Sequence, residues 1–321
     1  MIFKNSLNYI SQFFFFFTSK ARNFYLNSNI YNKKISKIND KNLEYKPSPS
    51  ILDCLIKYEK KNKIEDFSLN SIWTNKNIKE KDYKKLHSFF WLFTLDLKSS
   101  QKITQNVIYN WIEENDKYKK YIWNLDILSK RIIAWLSNSK LTYENAETNY
   151  SLRFNSLIKK QTNHLINEIQ RSEKLDDKII GSTTIILVGL AYGDNYYLKF
   201  GIELLKKLLN FSLDASNFPK SRNLRQLVFY LKYLIIIREL LKESQTNIPE
   251  FLDEKIFYLG KSYNLLCADK KKGMLFNGNF ENTNKDFDNY LNFNKYKFKD
   301  DTNEIGGYIL FQNKKSSLAI D

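Results

Sequence analysis

The sequence predicts a mostly helical fold of successive helical hairpins, ending in a short β hairpin. Three observations lead there. From Leu86 onward, apolar residues recur every three or four positions through eight consecutive segments. The connections between those segments are short, so neighbouring helices run antiparallel. After residue 272 the pattern shifts to short apolar runs beside Asn277-Gly278 and Gly306-Gly307. Eight helices are too many for a simple bundle and fit a helical solenoid or an α/α toroid.

At the N-terminus, Phe13 to Phe17 sit between Lys4 and the pair Lys20 and Arg22. Five apolar residues cannot span a bilayer. Asn5, Asn8, Ser11 and Gln12 interrupt the run and make it a poor signal peptide. Residues 1–30 therefore read as a basic amphipathic helix, packed on the body or in peripheral contact with a membrane. The weak leader character points to a cytoplasmic or inner-membrane-associated protein, with the periplasm as the alternative. Residues 31–82 are rich in Lys and Asn, and Pro47 and Pro49 break any helix there, so an extended segment lying across the domain is expected.

The helical segments follow in order. Phe89, Phe90, Phe93 and Leu97 share the first face. Val107, Trp111 and Ile112 mark the second, and Ile127, Ile132, Ile133 and Leu136 the third. Leu152, Leu157, His164, Leu165 and Ile169 mark the fourth. Ile179 to Leu190 is apolar nearly all round, which predicts a helix buried on most sides. Leu198, Ile202, Leu205 and Leu208 form the sixth. Leu224, Leu227, Val228, Leu231, Leu234 and Ile235 form the seventh, with Ser221 as its expected N-cap. Pro249 opens the eighth, carried by Phe251, Ile256, Leu259, Tyr263 and Leu266. Tyr308 to Phe311 and Ser317 to Ile320 are the two strands of the expected hairpin. Three regions result: 1–82, the basic helix and extended segment; 83–272, the helical domain; and 273–321, a linker and the start of a β domain.

Composition excludes several classes. Two Cys rule out a disulfide framework or a cysteine-rich metal site, and two His oppose a histidine-rich metal centre. Neither GxGxxG nor GxxxxGK[ST] occurs. No metal or cofactor is expected. The formal charge of +16 comes almost wholly from Lys, since Arg occurs only seven times. Codon bias in an AT-rich genome explains part of it. A surface that attracts polyanions is the functional counterpart.

Several stretches resemble the heparinase II/III-like proteins, particularly their alphaproteobacterial branch. Leu86-His87-Ser88-Phe89-Phe90-Trp91-Leu92 is similar to that branch's Leu-His-x-Phe-x-Trp-Leu. Arg131-Ile132-Ile133-Ala134-Trp135-Leu136 is similar to its Arg-Arg-Leu-Ile-Ala-Trp-Leu. Phe218-Pro219-Lys220-Ser221-Arg222-Asn223 resembles the segment before a long apolar helix, and Leu275-Phe276-Asn277-Gly278 the turn after the last helix. The resemblance spans about residues 45–321. It implies an incomplete (α/α) toroid followed by an antiparallel β-sandwich, of which residues 273–321 would be the truncated start. It implies polysaccharide lyase activity, a β-elimination on uronic-acid polymers. One group neutralises the uronate carboxylate, a base removes the C5 proton, and an acid protonates the leaving oxygen. The lyases of the family draw a histidine from the β domain, and this chain has none after His164.

The same resemblance nominates residues. Asn217, in Asp214-Ala215-Ser216-Asn217-Phe218, matches an Asp-Gly-Ser-Asn-Phe segment whose Asn contacts the uronate. Ala215 replaces the Gly, and Leu224 and Arg225 stand where a Tyr-His pair is expected. Tyr230 or Tyr233 would have to replace the missing catalytic Tyr. Arg222 and Arg225 suit carboxylate binding because guanidinium reads carboxylates bidentately. The pairs His87 with Trp91 and Arg131 with Trp135 are each four apart, on one helical face, and suit either a sugar cleft or helix packing. His164 reads as a buried polar contact. Neither Cys54 nor Cys267 is marked as a nucleophile, and Asp176-Asp177 read as loop charges. Two further readings stand beside the lyase: a non-catalytic acidic-glycan-binding or scaffold module, and a basic helical-repeat nucleic-acid binder, for which no dedicated motif is present.

Overall fold

The computed structural model describes residues 18–37, 41–53, 55, 73, 79–94, 101–267, 284–298, 304–305, 308–312 and 317–320. The fold is mostly helical. The N-terminal helix expected over residues 1–30 lies partly outside the described residues. Within them it is broken: helix α1 (18–26) ends before Ser28, whose hydroxyl accepts from the Tyr31 backbone N–H at 3.1 Å and starts α2 (Asn29–Ile35). An extended stretch then crosses the body, and the Glu44 and Tyr45 amides both donate to the Ala191 carbonyl, at 2.8 and 3.1 Å. A 3-10 turn follows at Pro49–Leu52.

The remaining helices are α3 (Glu80–Ser88), α4 (Gln101–Asn115), α5 (Leu125–Ser137), the single turn α6 (Ser139–Thr142), α7 (Thr148–Glu168), α8 (Leu175–Ala191), α9 (Asn195–Ser212), α10 (Leu224–Glu243), α11 (Glu250–Leu266) and α12 (Lys285–Phe293). Three short antiparallel strands follow, β1 (Glu304–Ile305), β2 (Tyr308–Gln312) and β3 (Ser317–Ile320), with Ile309 opposite Ile320 and Gln312 opposite Ser317.

The helices alternate between two layers. In one, α3 packs on α5, α5 on α8 and α8 on α10. In the other, α4 packs on α7, while α7 and α9 back α8 and α11 backs α10. Helix α8 lies at the centre. Every residue from Ile179 to Ala191 is buried, as its all-round apolar sequence predicts. Each fully buried Ile or Leu there contributes about 1.5–3 kcal/mol. Its buried hydroxyls are satisfied locally, with Ser182 and Thr183 both donating to the Ile179 carbonyl at 2.9 Å.

Two sequence expectations change. Phe89, Phe90 and Phe93 do not share one helical face. Phe89 has φ 58° and caps α3, and a 3-10 turn, Phe90–Thr94, follows it. On α7 the buried face runs through Tyr150, Phe154, Leu157, Ile158 and Leu165, while Leu152 is exposed. Leu97 lies outside the described residues.

The contact between α8 and α9 depends on two glycines. A Cβ on Gly189 would lie 2.5 Å from the Leu198 backbone nitrogen, and one on Gly201 would lie 3.0 Å from the Ile186 nitrogen. Backbone cannot yield as a side-chain tip can. Gly189→Ala is therefore expected to destabilise the fold by about 1–3 kcal/mol, as overpacking does. Urea denaturation monitored by circular dichroism would read this as a lower midpoint with an unchanged slope.

Candidate functional site

The first two turns of three helices of one layer line a cleft of about 480 Å³. Helix α5 brings Asp126 and Lys130, α8 brings Leu175, Asp176, Asp177 and Ile180 behind Lys174, and α10 brings Gln226 and Phe229. Local capping places these side chains. Asn124 accepts from the Asp126 amide at 3.2 Å, and Asn223 accepts from the Arg225 amide at 2.9 Å. Asn223 is thus the N-cap of α10, in place of Ser221. Ser221 lies just outside, accepting from the Asn223 amide at 3.2 Å and donating to the Gln226 carboxamide oxygen at 2.6 Å.

Asp176 and Asp177 are not loop charges. They occupy the first turn of α8, where carboxylates offset the positive end of the helix dipole. Loss of hydration in the cleft raises both carboxyls. Asp176 sits at the rim, where the Gln226 hydrogen bond and the Arg225 charge oppose the rise and Asp126 adds to it. For Asp177 the Asp126 charge adds to burial, against Lys174 and a hydrogen bond from Ser172 at 3.3 Å. Lys130 pairs with Asp126 at 3.2 Å. The cleft thus sets ammonium groups and a nearby guanidinium among carboxyls that hold protons more tightly than usual. Such a lining can accept from sugar hydroxyls and donate to carboxylates.

The nominated residues disperse. Arg225 is exposed beside Asp176. Asn217 and Arg222 lie in the loop between α9 and α10, both at positive φ, 59° and 58°. Asp214 organises that loop by accepting from the Ser216 and Phe218 amides, each at 2.9 Å. The Asn217 carboxamide oxygen accepts from Lys255 at 2.6 Å, which leaves its NH₂ as the donor end. Arg222 stacks 4.1 Å over the buried Tyr308 ring of β2, while the Tyr308 hydroxyl donates to the Arg222 carbonyl at 3.4 Å. Its guanidinium thus packs a strand against the helices, while the side chain remains half-buried.

Four nominations are corrected by burial. His87, Arg131, Trp135 and Tyr230 are each 0% exposed, so no polymer reaches them. The face proposed for His87 and Trp91 does not exist, because α3 ends at Ser88 and Trp91 lies in the 3-10 turn, donating to the Leu86 carbonyl at 3.1 Å. Arg131 donates to the His87 carbonyl at 3.0 Å, the Ile122 carbonyl at 3.2 Å and the Gln161 carboxamide oxygen at 3.3 Å, and stacks 4.3 Å over Trp111. Trp111 donates to His87 Nδ1 at 2.9 Å, which places the ring proton on Nε2. Burial pushes the Tyr230 hydroxyl up to about 12, away from a general base's range. Tyr233 is buried as well.

The expectations for His164 and Cys267 agree with their surroundings. His164 is buried and its Nδ1 bonds the Tyr31 hydroxyl at 2.7 Å. Cys267 is buried, and desolvation raises its thiol to about 12, which makes it a poor nucleophile. Cys54 lies outside the described residues. Among the described residues no group of three or more His, Cys, Asp or Glu is arranged to hold a metal.

The sequence reading missed Asp126, Lys130, Lys174 and Gln226. Their signal is positional: Asp126 and Gln226 lie in the first turn behind the caps Asn124 and Asn223, Lys174 is the N-cap of α8, and Lys130 stands one turn beyond Asp126. No family model matches the chain, and no curated protein or solved structure matches it.

The two histidines generate a pH prediction. Burial, then the Arg131 charge, lowers His87 to about 3, and burial lowers His164 to about 3, from an ordinary 6.5. The folded state keeps both rings neutral, while the unfolded chain takes up protons below 6.5. Their stabilisation is complete above that value and is lost as the pH falls toward 3. Urea midpoints should already decline between about pH 6.5 and 5, and His164→Gln should remove about half of that slope.

Proposed function

We propose that this chain is a helical module of the heparinase II/III-like kind that binds acidic polysaccharide at the cleft formed by α5, α8 and α10. The alternation of helices between two layers supports an incomplete (α/α) toroid, and Tyr308 of β2 beneath Arg222 supports a small β element packed on it. One observation carries the binding reading: Arg225, Lys174 and Lys130 stand around hydrogen-bonding carboxyls where three helix N-termini converge. Cations there would meet uronate carboxylates, and Asp176 and Asp177 would accept from sugar hydroxyls.

Binding without elimination is the reading favoured over lyase activity. Asn217 keeps a donor end for a carboxylate, but Tyr230 is buried, its hydroxyl raised to about 12, and cannot take the C5 proton. Titration with a uronic-acid polymer, together with ultraviolet detection of unsaturated uronate, tests the proposal. Binding without product is expected. Product formation would replace the proposal with the lyase, and absence of binding would end it.

Two further outcomes are specific to the cleft. Arg225→Ala should weaken polymer binding about fivefold, the scale of an exposed ion pair of about 1 kcal/mol. Because the Asp176 and Asp177 carboxyls are raised, lowering the pH protonates them before ordinary carboxylates and leaves the cleft more cationic. Affinity for the polyanion should therefore rise as the pH falls below neutral, and Asp176→Asn should reduce that rise.

A further inference from the structure

The +16 charge is not spread evenly. Residues 1–39 contain six Lys or Arg and no Asp or Glu; the first acidic residue is Asp40. The described part of this region has a distinct inner and outer side. On the inner side, Arg22 forms an ion pair with Glu168, Tyr31 bonds His164, and the Asn163 carboxamide donates to the Ile35 carbonyl at 2.8 Å. These bonds fix α1 and α2 on α7. On the outer side, Phe24 is 81% and Ile30 74% exposed, and Lys20, Lys33, Lys34 and Lys37 are exposed with them.

A second basic segment lies beside this face. Residues 117–121 read Lys-Tyr-Lys-Lys-Tyr. The Tyr118 ring packs 5.3 Å from His164, the same side chain that holds Tyr31. Tyr121 is 71% exposed, and Lys117, Lys119 and Lys120 are exposed around it. Of the acidic residues just before this segment, Glu114 is exposed, Asp116 lies toward Lys160 at 4.0 Å and Glu113 pairs with Arg153.

We propose that α1, α2 and the 117–121 loop form a docking face for an anionic lipid surface. Lysines supply attraction to acidic headgroups, each worth about 1 kcal/mol near the surface. Phe24, Ile30 and Tyr121 supply apolar contact at the level where headgroups meet acyl chains. A soluble polyanion would use the lysines but gain little from an exposed Phe and Ile, so the combination favours a bilayer over nucleic acid or polysaccharide. No helix among the described residues is long and apolar enough to cross a membrane. In sequence, Phe13 to Phe17 directly precede α1.

Co-sedimentation of the full chain with vesicles tests this. Phosphatidylcholine vesicles containing phosphatidylglycerol should pellet the protein, and pure phosphatidylcholine vesicles should not. The double variant Phe24→Ser, Ile30→Ser should weaken that binding about tenfold, and Lys33→Glu with Lys34→Glu should weaken it and its salt dependence. Because these side chains are exposed, melting temperature and uronic-acid polymer binding should stay unchanged in both variants. Failure to pellet with anionic vesicles, or equal pelleting with neutral ones, would overturn the proposal. So would full retention of binding by the Phe24, Ile30 variant, which would make the face a site for soluble polyanions.

Discussion

A guanidinium without a carboxylate organises the interior. Arg131 is fully buried, and among the described residues no Asp or Glu pairs with it. A buried cation is costly unless its donors are satisfied. Arg131 spends them on the last turn of α3, the residue three before α5, and the middle of α7, while its flat face rests on Trp111 of α4. Four elements distant in sequence must reach one another for this side chain to be tolerated. Such a group specifies an arrangement more than it stabilises one. Among the described residues, its Nη2 and the neighbouring Gln161 Nε2 have no hydrogen-bond partner. Burial accordingly pushes the Arg131 pKa well below its ordinary value, and the same low-polarity environment keeps His87 neutral.

The core and the cleft are opposite uses of the same helices. Within the core, α8 is buried on every side and α5 on most sides. At their first turns they present Asp126, Asp176 and Asp177 to solvent. Placing carboxylates at helix N-termini is favourable in itself, and that alone explains their presence. The additional feature is convergence: packing α5 on α8 and α8 on α10 gathers three such ends, with Lys130, Lys174 and Arg225 among them. Partial desolvation, with a smaller contribution from the Asp126 charge, then raises carboxyls that would be ordinary on an isolated helix.

The sequence made the helices legible because the apolar pattern reports burial: one face on α7, and every side on α8. It did not make helix ends legible. Leu86 to Phe93 carries an unbroken apolar pattern, and only the left-handed backbone at Phe89 ends α3 there. A non-glycine residue in that conformation leaves no mark in composition. The same limit misdirected the site. His87, Arg131, Trp135 and Tyr230 have the chemistry of a sugar cleft, but that chemistry also suits aromatic packing, and exposure separates the two. Asp176 and Asp177 were the reverse case: ordinary in type, and informative only once their helix start was placed beside two others. Arg222 was legible as an unusual cation, but not as the stack on Tyr308, which lies 86 residues further along the chain.

The two glycines between α8 and α9 have a mechanical meaning. Gly201 meets α8 near its middle, and Gly189 meets α9 near the other end of α8 from the cleft. At 1.5 Å per residue, Gly189 stands about 20 Å along the axis from Leu175. Between these two points α9 lies against α8 at backbone distance, with no side chain to space them apart. The helix whose first turn carries Asp176 and Asp177 is thus seated in the core, far from the cleft, by the absence of two side chains.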